Sequence, residues 1–289
     1  MFTLFTDTDT DITPEIAKLY GYKLISMPYT IGEDITFPYE DFEVFDCHGY
    51  YDILRGGVLP TTSALSPEKY ISYFEPELKA GKDILYVHFS RSMSGTFNSL
   101  NIALQELSEK YPERKVHLID TKGITVCSYI IVRAIGDLLL NGATLEDVMK
   151  WAETEVDHYA TYFFADDLKF FKKSGRVSGL AAFFGGLIGI KPIIHMSQEG
   201  KMVSVAKAKG RKSAVEALVK YVDELGDDIK NHRVIICHTD APELVEQLSA
   251  SLKAKYGEDL DIEVIPANPT AGAHCGPNAV GVAFHAIHR

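Results

Sequence analysis

The residues best suited to hold a ligand lie where an apolar run, Ile84-Leu85-Tyr86-Val87-His88-Phe89, meets the hydroxyl-rich stretch Ser90-Arg91-Ser92-Met93-Ser94-Gly95-Thr96. A strand that runs into a Ser/Gly loop and then opens a helix presents backbone N–H groups with no partner inside the helix. Ser92, Ser94 and Thr96 add hydroxyls around the permissive Gly95, so the spacing fits a carboxylate or another anion. Plain N-capping by Ser or Thr accounts for the same residues without any ligand. A third use is nucleophilic. The nucleophile elbow needs Gly-x-Ser-x-Gly, whereas Ser94 sits in Ser92-Met93-Ser94-Gly95-Thr96 without both glycines. His274 remains available as a distant base, so a serine esterase or lipid hydrolase working through Ser94 and His274 is the alternative reading.

Other segments carry weaker signals. Thr61-Thr62-Ser63 precedes Ser66-Pro67, which reads as an N-cap with proline at the first helical position, and this leaves Thr61 to Ser63 free to meet a ligand. Thr6-Asp7-Thr8-Asp9-Thr10-Asp11 crowds three carboxylates after the first strand. Without a further ligand set, capping of turns and helices explains them better than a divalent ion, and no metal is expected. His274-Cys275-Gly276-Pro277-Asn278 lies in a Gly/Ala-rich loop before a last apolar strand. Its histidine can face a carboxylate or be a satisfied structural group, and Cys275 reads as inert.

These residues need a scaffold. From residue 1 to about 155, strands at 2–6, 23–30, 84–89 and 116–120 alternate with helices at 66–80, 95–111, 125–140 and 144–158, a pattern that implies βαβ crossovers and a parallel sheet in a three-layer α/β/α arrangement. Ligands of such sheets sit at the carboxyl ends of the strands. After that, strands at 159–165, 192–196, 202–206, 233–238 and 262–266 combine with helices at 213–225 and 242–256. The turn Gln198-Glu199-Gly200-Lys201 suggests a hairpin, hence a mixed or antiparallel sheet. The expectation is an α/β chain of two domains, 1–155 and 156–289, with the ligand between them or near their interface.

The chain has 289 residues and a net charge of −11, with 46% hydrophobic and 24% charged residues, which describes a globular protein and argues against one that coats nucleic acid or anionic lipid. The charge is uneven. Residues 169–212 hold ten Lys/Arg against the single Glu199, so +9 there offsets −20 elsewhere, and the basic turns around Lys172-Lys173-Ser174-Gly175-Arg176 and Lys207-Ala208-Lys209-Gly210-Arg211-Lys212 are candidates for an acidic or phosphorylated partner. Four scattered cysteines form neither a disulfide framework nor a zinc site, and the first residues lack a signal peptide's features, so a cytoplasmic location is expected. The apolar run 177–190 is too short to span a bilayer and reads as core, with no integral membrane segment.

Taken in order, these motifs resemble the DegV family of bacterial lipid-binding proteins, which includes the fatty-acid-binding subunits of the bacterial fatty acid kinase system. The resemblance rests on Thr6-Asp7-Thr8-Asp9-Thr10-Asp11-Ile12, Thr62-Ser63 with Ser66, Ser94-Gly95-Thr96, Asp120-Thr121, Lys172 to Ser178, Ile190-Lys191-Pro192-Ile193, and His274 with Gly276-Pro277. It implies a non-catalytic carrier that buries a long-chain fatty acid and presents its carboxylate to a partner fatty acid kinase, with no other cofactor. By position it assigns the carboxylate to Thr62 and Ser94 with His274 nearby, and partner docking to Arg176 and Arg211. Gly95 and Thr96 complete the loop, and Phe183, Phe184 and Ile188 are candidates to line the tunnel.

Overall fold

The computed structural model describes residues 1–179 and 189–289. Phe183, Phe184 and Ile188 lie outside the described residues. The strands are β1 (Phe2–Asp7), β2 (Tyr22–Ile25), β3 (Tyr29–Ile31), β4 (Asp34–Thr36), β5 (Thr61–Thr62), β6 (Asp83–His88), β7 (Val116–Asp120), β8 (Tyr159–Phe164), β9 (Val177–Ser178), β10 (Ile190–Met196), β11 (Met202–Lys209), β12 (Val234–His238), β13 (Ile262–Pro266) and β14 (Val280–His285). The helices are α1 (Pro14–Tyr20), α2 (Cys47–Arg55), α3 (Pro67–Lys79), α4 (Thr96–Lys110), α5 (Val126–Leu140), α6 (Leu145–Glu155), α7 (Lys169–Ser174), α8 (Gly210–Leu225), α9 (Pro242–Tyr256) and α10 (Pro269–Cys275).

Among the described residues the strands sort into three sheets. The first, in the order β2-β1-β6-β7, is parallel throughout. Its buried residues Phe5, Ile84 and Tyr86 pack with Phe74 of α3 and Phe97 and Leu100 of α4. Leu4, Leu85 and Val87 point the other way, onto Ala17 of α1 and Ile130 and Ile131 of α5, which gives three layers. The second sheet, β13-β12-β14-β8-β10-β11-β9, mixes parallel and antiparallel pairs, as expected from the hairpin at 197–201. Helices α8 and α9 cover one of its faces through Leu218, Val222, Leu244 and Leu248. Helix α5 meets the other face, because its residues share a cluster with Ile235, Cys237 and Ala283.

Three expectations change. The strand expected at 23–30 is broken after Ile25, since Met27 donates its N–H to the Thr8 hydroxyl and Pro28 has no N–H to give a ladder. The chain leaves the first sheet and starts β3 of a small antiparallel sheet, β4-β3-β5. Thr61 and Thr62, expected in a free loop, form β5 and pair with Thr30 and Tyr29. The helix expected over 144–158 ends at Glu155 and closes in a 3-10 turn, Val156–His158. Among the described residues no helix is long and apolar enough to cross a membrane.

Candidate functional site

The carboxyl end of β1 is the organising point. Asp7, Asp9 and Asp11 are all buried, and each has a different task. Asp7 Oδ1 caps the following 3-10 turn through Asp9 N–H, while its Oδ2 accepts from Phe89 N–H at 3.1 Å and from the Tyr86 hydroxyl at 3.0 Å, fixing the end of β6. Asp11 accepts from Asn268, the N-cap of α10, and so places the helix that carries His274. Asp7 and Asp11 therefore serve as cap and tie. Burial raises Asp7 and Asp11 to about 7, and raises Asp9 well above the ordinary carboxyl range with help from the other two charges.

The loop after β6 is held by the second sheet. The Ser90 hydroxyl donates to Gly200 O and the Ser92 hydroxyl to Glu199 O, each at 2.7 Å, so the β10–β11 turn clasps the loop. Gly200 is required there: it has φ +72°, and a Cβ would stand 2.2 Å from the Ser90 hydroxyl oxygen. Ser92 is thus committed to structure. Ser94 accepts from Thr96 N–H at 3.2 Å and keeps its own hydrogen to donate. Thr96 is 1% exposed, and its hydroxyl accepts from Leu65 N–H and pairs with the Tyr70 hydroxyl, so it anchors α3 to α4. Gly95 precedes α4, which no side chain caps, and space is open where its Cβ would be.

Thr62, Ser94, Gly95, Thr96, Arg176 and His274 all line one cavity of about 230 Å³ between the ends of β1 and β6 and the inner face of the second sheet. Thr62 Oγ1 lies 3.1 Å from His274 Nε2. His274 Nδ1 is buried without a partner among the described residues, and burial together with the nearby Arg176 cation lowers the imidazole to about 4, so it is neutral at pH 7. Arg176 is exposed, donates to Met93 O and Ser174 O, and supplies the positive charge. Elsewhere the wall includes the apolar Phe89, Met93, Ile124, Phe163, Met196 and Met202, together with Asp9, Thr161 and His238. The arrangement is a hydroxyl-lined cradle at the edge of an apolar hollow.

The geometry does not assemble a Ser94–His274 pair: the His274 imidazole is engaged with Thr62, and among the described residues no carboxylate orients Nδ1. Cys275 is inert, since burial pushes its thiol up to about 12. Arg211 lies elsewhere, paired with Asp166, which Lys191 also binds at 2.9 Å. Burial opposes ionisation of Asp166, but these two cations outweigh it and hold its carboxyl below the usual range. Among the described residues His48, Asp52 and Asp240 bring ligand atoms within 4.8 Å of one another, but Arg55 already bridges both carboxylates at 2.6 Å.

Sequence reasoning missed several wall residues. Asp9 stood in a flagged run without any sign that it reaches a cavity, and Thr161 was one threonine of a strand. Thr125 gave no signal, yet it lines the cavity with φ +53° and ψ −133°, a conformation a β-branched residue rarely adopts.

The family described as "Uncharacterised protein, DegV family" matches residues 1–286. A DegV domain-containing protein of Clostridium perfringens is 30% identical over 284 residues, spanning 98% of this chain and 97% of its own. A fatty-acid-binding protein of the same family from Thermus thermophilus has a similar structure, with a TM-score of 0.86, 25% identity and 99% of each chain covered. Another, from Streptococcus agalactiae and likewise described as fatty acid binding, gives 0.84 at 26% identity over 98% of each chain.

Proposed function

This chain belongs to the DegV family, and from that premise we propose that it is a carrier that buries a long-chain fatty acid with the carboxylate held by Thr62 and Ser94. The observation that carries the reading is the cavity itself: apolar walls converge on two hydroxyls, a neutral histidine and one arginine. Burying around fifteen methylenes is worth on the order of 12 kcal/mol at about 0.8 each, before the costs of association. The head group then needs hydrogen bonds rather than bulk. Ser94 has a hydrogen to give, the uncapped start of α4 favours negative charge, and Arg176 adds a cation. Thermus and Streptococcus relatives described as fatty acid binding support the same ligand class.

The division into domains 1–155 and 156–289, in a cytoplasmic protein, is part of this reading, since the cavity draws on both large sheets. So is presentation of the carboxylate to a fatty acid kinase for acyl-phosphate formation. Exposed Arg176 at the cavity supports it directly. Arg211 supports it only through its place in the basic stretch, because a partner must compete with Asp166 for it.

Native mass spectrometry of protein purified from lipid-supplemented cells tests the carrier. An acyl adduct lost on denaturation is expected, and a clean ligand-free mass overturns it. Arg176→Glu with Arg211→Glu is expected to abolish acyl phosphorylation by the kinase, and unaltered phosphorylation overturns the docking role.

A further inference from the structure

The cavity has a second polar pole that a plain acyl chain does not satisfy. Asp9 is 5% exposed and Thr161 is 3% exposed, both line the cavity, and Asp9 Oδ1 and Thr161 Oγ1 have no hydrogen-bond partner among the described residues. Buried polar atoms without partners are costly and uncommon, so two in one wall point to a group that is meant to meet them. Both sit on elements that flank α5. That helix packs against the 3-10 turn holding Asp9 and against β8, which holds Thr161. Thr125 donates its N–H to Asp9 O at 2.8 Å in its unusual backbone conformation, and no side chain caps α5. Thr270 lies against the Asp9 carboxyl from the first turn of α10.

This pole is separate from the cradle of Thr62 and Ser94. Thr270 and His274 are one helical turn apart on the same face of α10, about 6 Å along its axis, and the intervening wall includes apolar Ala271. We infer that the group at Asp9 and Thr161 is a hydroxyl carried on the acyl chain, which makes a hydroxylated fatty acid the preferred ligand. The chemistry selects an alcohol. Burial, with the charges of Asp7 and Asp11, favours the protonated form of Asp9, which offers both a donor and an acceptor, as the Thr161 hydroxyl does. A hydroxyl on the chain can give to or take from either of them without bringing charge. A second carboxylate would meet three acids, and a methylene leaves both atoms unpaired.

The inference rests on the fatty-acid reading, and its test separates the two. Delipidated protein is titrated calorimetrically with stearic acid and with a set of monohydroxylated stearic acids that differ in hydroxyl position. At least one isomer is expected to bind roughly tenfold tighter than stearic acid, about one step of 1.4 kcal/mol. Thr161→Val, which keeps the shape and removes the hydroxyl, is expected to erase that advantage, bringing the preferred isomer and stearic acid to equal affinity. Stearic acid binding with no isomer preferred, or a preference that survives Thr161→Val, overturns the hydroxyl site alone. Failure of every acid to bind overturns the fatty-acid reading and this inference with it.

Discussion

Asp11 Oδ1 accepts two hydrogen bonds from Asn268, one from the backbone N–H at 2.9 Å and one from Nδ2 at 2.6 Å. Asn268 Oδ1 in turn accepts from Ala271 N–H at 2.8 Å, so the aspartate orients the cap that starts α10. Position of the cradle's histidine is thus set from the far end of its helix.

Asn268→Ala removes the cap and leaves Asp11 buried with fewer donors. A loss of about 1–3 kcal/mol in urea-unfolding stability is expected, together with weaker ligand binding as His274 moves. An unchanged unfolding midpoint contradicts the role given to this pair.

Asp11 also predicts a pH effect. Burial raises its carboxyl from 3.8 to about 7, against the donors of Asn268 and Cys237. Between those values the folded chain holds a proton that the unfolded chain has released, so stability falls as pH rises through the window. Asp11→Asn has no proton to lose. Relative to wild type it is expected to gain about 3 kcal/mol between about pH 5 and pH 8, from two units of the window at 1.4 kcal/mol each. A pH-independent difference between the two proteins contradicts the shift.

Ser94→Ala and Thr62→Val are each expected to weaken fatty acid binding by about 1.5–3 kcal/mol, roughly ten- to hundredfold, with the fold intact. Calorimetric titration measures this, and equal affinity removes that hydroxyl from the cradle. A fluorophosphonate probe is expected to leave Ser94 unlabelled, because His274 is engaged with Thr62. Labelling revives the esterase.

Gly200→Ala places a Cβ 2.2 Å from the Ser90 hydroxyl oxygen and 3.2 Å from Lys122 Cα, on a residue with φ +72°. A loss of at least about 1 kcal/mol is expected from the left-handed conformation alone, and a lower melting temperature reads it. A melting temperature equal to wild type means the turn does not need glycine.

Periodicity and turn chemistry carried most of the scaffold. Strand β7 at Val116–Asp120, strand β13 at Ile262–Pro266 and helix α9 at Pro242–Tyr256 fall where the pattern puts them, because long amphipathic or β-branched runs bounded by Pro and Gly leave few alternatives. Short elements escaped. Helices α1, α2, α7 and α10 have nine residues or fewer and are stabilised by contacts distant in sequence, such as Asp11 on Asn268. The same holds for the site. Ser94, Thr62 and His274 stood out through hydroxyls and glycines nearby, whereas the convergence of Asp9, Thr125 and Thr161 depends on how α5 packs between two sheets and has no local signature.

The Thr-Asp repeat has a consequence for folding. Six residues at the end of the first strand hold Phe89 through Asp7, Met27 through Thr8 and Asn268 through Asp11, while Ser90 and Ser92 reach the turn at Glu199 and Gly200. The two large sheets cannot part at this junction without taking from Asp11 its Asn268 donors and from the Glu199 and Gly200 carbonyls their hydroxyl donors. The two halves are therefore expected to melt as one calorimetric unit, with the calorimetric and van't Hoff enthalpies equal, although each has the size of a small protein that could fold by itself.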